Sequence, residues 1–124
     1  MPTQEPAIRV LIVEDEPLTR EVCAEYLRAV GAEVESASDE AEANAAARRF
    51  APEVLVCDWQ LKKNTDGTKL AKTLQQRHAC KVVMITGQPL EKLAEHAVDL
   101  EVHRVLRKPF PLRALNEAIL STRL

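Results

Sequence analysis

The sequence predicts a doubly wound α/β domain, a parallel sheet with helices on both faces. Three observations carry that reading. Segments rich in β-branched and aliphatic residues alternate, five times over, with segments that show helical spacing. The strongest strand segments are near-continuous apolar runs, as strands covered on both faces require. The connections are short, and strict strand–helix alternation implies right-handed crossovers within one parallel sheet. At 124 residues the chain is sized for one domain.

The elements follow in order. Residues 8–13, Ile-Arg-Val-Leu-Ile-Val, form the first strand. Pro17 suits a first helical turn, and Leu18, Val22, Tyr26, Leu27 and Val30 mark one helical face that stops at Gly31. Residues 33–37 make a short, weaker strand that fits a sheet edge. Asp39 is a candidate N-cap with Glu42 three residues on, and Ala43, Ala46, Ala47 and Phe50 form the next stripe. Pro52 ends that helix, and residues 53–57 read as a buried strand. A polar stretch from Gln60 to Asp66 ends at Gly67, and Leu70, Ala71 and Leu74 give the third helix. Residues 81–85 form a strand broken by Thr86-Gly87-Gln88-Pro89. Leu90, Leu93, Ala94 and Ala97 stripe the fourth helix. Residues 102–106 make a marginal fifth strand, and Lys108-Pro109-Phe110 turns into a last helix carrying Leu112, Leu115 and Ile119. Residues 1–7 read as a loose tail and 8–124 as the domain.

Composition excludes several classes. Hydrophobic residues at 46% and charged residues at 29% argue against general disorder. Aromatics at 3% (Tyr26, Phe50, Trp59, Phe110) require an aliphatic core. A net charge of -2 gives no general reason to bind nucleic acid or an anionic membrane. The charge is unevenly spread: residues 1–57 carry -7 and residues 58–124 carry +5. Met1 to Pro6 is polar, unlike a signal peptide, and no apolar run approaches the roughly 18 residues of a membrane span. Cys23, Cys57 and Cys80 lack metal or disulfide spacing and read as reduced residues of a cytosolic protein. His78, His96 and His103 share no ligand spacing either.

A parallel sheet gathers the carboxyl ends of its strands along one edge, where ligand sites form. Just past the first strand stand Glu14, Asp15 and Glu16. Asp58 follows the third strand, Thr86 the fourth and Lys108 the fifth. The weak second strand contributes only Ser36 and Ser38. Carboxylates crowded into one cleft must take up protons or be held by cations. Oxygen ligands without His or Cys point to a hard ion, Mg²⁺ before Zn²⁺. An aspartate beside Mg²⁺, with a lysine and a hydroxyl in reach, can attack a phosphoryl group. Each residue alone has an ordinary reading: helix-start acids, a loop aspartate, a turn threonine, a surface lysine. The combination is far more specific than any member.

At this point the sequence resembles a receiver domain of the response-regulator family over roughly residues 8–122. The carriers are Val-Leu-Ile-Val-Glu-Asp-Glu-Pro (10–17), Val-Leu-Val-Cys-Asp (54–58), Asp66-Gly67, Val-Met-Ile-Thr-Gly (83–87) and Lys108-Pro109-Phe110. The resemblance implies a flavodoxin-like (βα)5 fold with strand order 2-1-3-4-5. It implies that Asp58 accepts a phosphoryl group from a phosphohistidine on a sensor histidine kinase or a histidine phosphotransfer protein. Asp15, Asp58 and the backbone carbonyl of Gln60 would bind Mg²⁺, with Glu14 acting through water. Thr86 would hydrogen-bond the phosphoryl group and Lys108 would pair with it. The Lys108-Pro109 bond would be cis. Slow hydrolysis would follow, tuned by Gln60 and Gln88.

The departures concern output. Val105 stands where receivers usually carry Tyr or Phe, and a valine cannot report the movement of Thr86 in the same way. Glu101-Val102 replaces the usual Gly-Ala. Lys62-Lys63-Asn64 stands in a loop that lacks the common proline and is one residue longer than in many single-domain regulators, as in receivers of hybrid sensor kinases. The alternative reading is a receiver-like interaction module that acts without phosphorylation; the acidic set, Thr86 and Lys108 argue against it. A small enzyme or nucleotide binder of the same fold comes last, because only Gly31, Gly67 and Gly87 exist to build a phosphate loop.

Overall fold

Five parallel strands are ordered as the resemblance implies. The computed structural model describes residues 6–124; residues 1–5, most of the expected tail, lie outside the described residues. The chain runs β1 (Arg9–Val13), α1 (Pro17–Ala29), β2 (Glu33–Ala37), α2 (Glu40–Phe50) and β3 (Val54–Asp58). It continues through β4 (Gln60–Leu61), β5 (Thr65–Asp66), α3 (Gly67–His78), β6 (Lys81–Thr86), α4 (Leu90–His96), β7 (Val102–Arg107) and α5 (Leu112–Leu120). A 3-10 turn, Ser121–Arg123, ends it. The sheet order is β2-β1-β3-β6-β7, with β6 and β7 as the fourth and fifth long strands.

Period-two alternation divides the strand side chains between two apolar layers. Leu11, Val13, Leu55, Cys57, Val82 and Met84 meet α2 and α3 on one face. Val10, Ile12, Val54, Val56, Val83 and Ile85 meet α1 and α5 on the other. Every residue of β3 is buried, so it is the centre of the sheet. Truncating a core leucine such as Leu55 to alanine would cost about 2–5 kcal/mol. The alanines of α2 (Ala43, Ala46, Ala47) are buried, so that helix lies close to the sheet.

Local signals start the helices. Asp39 accepts the Glu42 amide at 2.8 Å, while the Glu42 side chain bonds Ser38 instead of closing a full capping box. Asp66 caps α3 through the Thr68 amide at 2.9 Å.

Three expectations need correction. The buried face of α1 is Cys23, Ala24 and Leu27, whereas Leu18 is 68% exposed, Val22 41% and Val30 48%. The row 18, 22, 26, 30 lies one residue, about 100°, round the helix from the row 23, 27. Small Cys23 and Ala24 let the backbone approach the sheet, which large side chains there would prevent. In α4 only Leu93 is buried; Leu90 and Ala94 face outward, because this seven-residue helix meets the core over a single turn. The polar stretch after β3 is a hairpin, with Gln60 paired to Asp66 and Leu61 to Thr65. Lys63 and Asn64 both take positive φ, the twist that a tight hairpin needs.

Candidate functional site

The strand ends place the polar residues. Past β1, the Glu14 amide donates to the Ala37 carbonyl at 3.1 Å, so Glu14 still rides on the sheet. Asp58 closes β3, and the next amide, that of Trp59, donates to Ile85 at 2.8 Å. The Lys108 amide donates to the Thr86 carbonyl at 2.8 Å, which brings the ends of β6 and β7 together.

Glu14, Asp15 and Asp58 each present a carboxylate oxygen within 4.8 Å of the others. Lys108 Nζ lies 2.7 Å from Asp58 Oδ2 and 3.2 Å from Glu14 Oε1, although 94 residues separate Lys108 from Glu14. The Gln60 amide donates to Asp58 Oδ1 at 3.2 Å. The Lys108-Pro109 peptide is cis.

Four of the expected residues therefore converge: Glu14, Asp15, Asp58 and Lys108. Thr86 is buried, with its hydroxyl accepting the Gln88 amide at 2.9 Å. Glu16 does not join the cluster; its carboxylate caps α1 through the amides of Thr19 (2.7 Å) and Leu18 (3.3 Å). Those bonds hold its carboxyl below the usual range, so for Glu16 the helix-start reading is the right one.

One ammonium faces more negative charge than it can neutralise. Burial, then the hydrogen bond and charge of Asp58, push the Glu14 carboxyl up to about 8 despite Lys108. Burial works to lower the Lys108 ammonium, but Asp58 and Glu14 outweigh it and hold it above its ordinary value. The site is thus short of positive charge. Its donors are all oxygens, and a hard divalent cation fits them.

Two supporting features escaped the sequence reading. Arg20 Nη1 donates to the Glu14 carbonyl at 2.9 Å. Gly67 packs so close to β3 that any Cβ would overlap the Asp58 carbonyl oxygen, and its amide donates to the Trp59 carbonyl at 2.6 Å. The Asp66-Gly67 pair was a signal for a close approach, but what approaches it lies eight or nine residues away. Trp59 is buried beside Asp58, its ring 5.1 Å from that of His96 in a tilted arrangement.

The comparisons agree with this geometry. The family model for the response regulator receiver domain matches residues 10–120. The chain is 35% identical over 112 residues to the transcriptional regulatory protein PdtaR of Mycobacterium tuberculosis, covering 90% of this chain and 54% of that protein. It is 30% identical to the C4-dicarboxylate transport transcriptional regulatory protein DctD of Pseudomonas aeruginosa, over 90% of this chain and 24% of that one. The chain thus spans about half, or less, of these relatives. Among solved structures, a CheY-like receiver domain protein from Methanospirillum hungatei superposes with a TM-score of 0.85 at 24% identity, covering 94% and 93% of the two chains. NtrX from Brucella abortus gives 0.82 at 30% identity, over 94% of this chain and 27% of that one. A family match across nearly all of the chain, on a sheet whose strand ends gather Glu14, Asp15, Asp58 and Lys108, means that this chain belongs to the response regulator receiver domain family.

Proposed function

We propose that this receiver accepts a phosphoryl group on Asp58 from a phosphohistidine, in a relay of two-component signalling. The observation that carries the reading is three carboxylates within 4.8 Å, with Lys108 Nζ 2.7 Å from one oxygen of Asp58. Asp15, Asp58 and the Gln60 carbonyl would hold Mg²⁺, with Glu14 acting through water. When bound, the ion supplies positive charge against the equatorial phosphoryl oxygens. An Asp58 carboxylate oxygen forms the new P–O bond as the P–N bond to the donor imidazole breaks, and the departing ring takes up a proton. Lys108 turns from Asp58 toward the phosphoryl group, and the Thr86 hydroxyl donates to it. Gln60 and Gln88 flank the acyl phosphate and set how readily water hydrolyses it.

The donor is a sensor histidine kinase or a histidine phosphotransfer protein. Exposed Leu18 and Val22 of α1 line a groove of about 420 Å³ with Pro109, Phe110 and Leu112, and Lys108 forms part of its wall. An apolar helical partner seated there would stand beside the phosphoryl site. Three buried free thiols suit a reducing compartment, the cytoplasm.

A module that binds partners without phosphorylation is the second reading. Val105 favours it, since it is half-buried against the core and offers no ring to swing. Mg²⁺ with acetyl phosphate or a beryllofluoride salt, followed by Trp59 emission and intact mass, separates the two. Phosphoryl acceptance predicts changed emission and an acid-labile adduct; neither change, in protein that remains folded, gives the second reading.

A further inference from the structure

We propose that Arg20 is a positioning residue for the acidic site, fixing the Glu14–Asp15 peptide so that both carboxylates face Asp58. The inference rests on the phosphoryl-accepting reading for its purpose but not for its geometry. Arg20 is the fourth residue of α1, and its amide is held in the helix by the Glu16 carbonyl at 3.0 Å. Its half-buried side chain reaches back past the start of that helix. There Nη1 meets the Glu14 carbonyl at 2.9 Å.

The choice of residue runs against local preference. A helix's first turns favour negative charge, and a cation there is disfavoured by the macrodipole. No ion pair compensates: among the described residues, no carboxylate lies within 4.0 Å of the Arg20 guanidinium. What the side chain gains is a backbone carbonyl. A residue that breaks a local rule for one such contact marks a place where tertiary geometry matters more than helix stability.

The geometry says why that carbonyl matters. The Glu14 amide is held by Ala37 on one side, and its carbonyl by Arg20 on the other. The peptide unit is planar, so holding the carbonyl sets the plane that leads into Asp15. The two acidic residues joined by that peptide are two of the three that converge on one point. Losing the bond frees the plane to rotate and spreads Asp15 over more conformations. Arg20 also lines a cleft with Asp15.

The experiment compares wild type, Arg20→Ala and Arg20→Lys in the full chain. In metal-free protein, hydrogen exchange at the Glu14 amide, which the Ala37 carbonyl holds, should quicken in Arg20→Ala, while β3 and β6 stay as protected as in wild type. Mg²⁺ binding, read by Trp59 emission, should weaken about tenfold in Arg20→Ala, as loss of a supporting bond to a metal ligand does. Arg20→Lys, which keeps a charged donor, should recover part of that loss. Labelling by acetyl phosphate at saturating Mg²⁺ should stay within about twofold of wild type, because the nucleophile and Lys108 are untouched. Unchanged exchange at the Glu14 amide overturns the proposal. So does Mg²⁺ affinity within about twofold of wild type in Arg20→Ala, smaller than the tenfold loss a positioning bond predicts. A loss shared by every strand in the exchange pattern also overturns it, since Arg20 would then be merely structural. If wild type itself fails to bind Mg²⁺, the phosphoryl-accepting reading falls, and the exchange measurement still decides whether Arg20 orders the peptide.

Discussion

Each end of the sheet carries an ion-paired cluster built from distant parts of the chain, and the two behave in opposite ways. At the amino ends of the strands, Arg123 meets Glu53 with Nε and Nη2 at 2.7 and 2.8 Å. The charges acting on Glu53 among the described residues, Arg123 and Arg9, are both positive, and the Arg123 hydrogen bonds foremost hold its carboxyl below the usual range. At the carboxyl ends, Lys108 faces Glu14 and Asp58 together, and Glu14 is pushed up to about 8. Matched charge closes a fold; mismatched charge waits for a ligand. On the proposed function, the same interaction chemistry thus serves stability at one rim and reactivity at the other.

The sharpest way to break this contrast is to remove the nucleophile. Asp58→Asn should abolish acid-labile labelling and at the same time raise the stability of the metal-free protein, because the negative charge that Asp58 sets against Glu14 is removed. Continued labelling at the wild-type rate would mean a different nucleophile, and a destabilised variant would mean that the rim is not strained by charge. Lys108→Ala should keep a native far-ultraviolet spectrum yet lose most of the phosphorylation-linked Trp59 response. A full response would remove the lysine from the site's work.

Gly67→Ala probes how tightly the site is seated. The new Cβ would meet the backbone carbonyl of Asp58, not a flexible side chain, so chemical denaturation should show a loss of about 3 kcal/mol, the upper range for overpacking. An unchanged midpoint would show that the hairpin and α3 give way freely.

The pH dependence differs in sign between the two rims. Glu14 binds its proton more tightly folded than unfolded, so its contribution is fully present below about 4.5 and is lost as pH rises to about 8. The melting temperature of metal-free protein should therefore fall across that window relative to Asp58→Asn, and Mg²⁺ should restore more of it at the alkaline end. Glu53 has the opposite sense: its depressed carboxyl stabilises above the ordinary glutamate range, and that contribution is lost as pH falls below it. Glu53→Gln should cost less than about 1 kcal/mol at neutral pH and leave labelling unaltered. Slower labelling in Glu53→Gln would tie the two rims together.

Much of the architecture was legible along the chain because its signals are local. The apolar run 10–13 and the all-buried β3 announce a covered parallel sheet, and Asp39 and Gly31 punctuate helices by their own backbone chemistry. The positions at the carboxyl ends of four strands, Glu14, Asp15, Asp58, Thr86 and Lys108, followed from alternation alone, since parallel strands must end on one edge. The faces of α1 and α4 were not legible. Spacing identifies apolar rows, but the sheet selected the row with small Cys23 and Ala24 and left Leu18 and Val22 outside. The hairpin at Gln60–Asp66 was missed because Lys63-Asn64 lacks the glycine that usually marks such a turn.

By itself, then, the order of residues determined the succession of the five long strands and five helices, the edge on which polar groups gather, and the acid-rich character of that edge. Only the tertiary structure decided that Lys108 is divided between two carboxylates, that Gly67 has no room for a side chain, and that Arg20 reaches back to Glu14. The reason is distance along the chain. Propensity and periodicity act within a few residues, whereas the charge on Glu14 depends on its burial, on Asp58 and on a lysine 94 positions away.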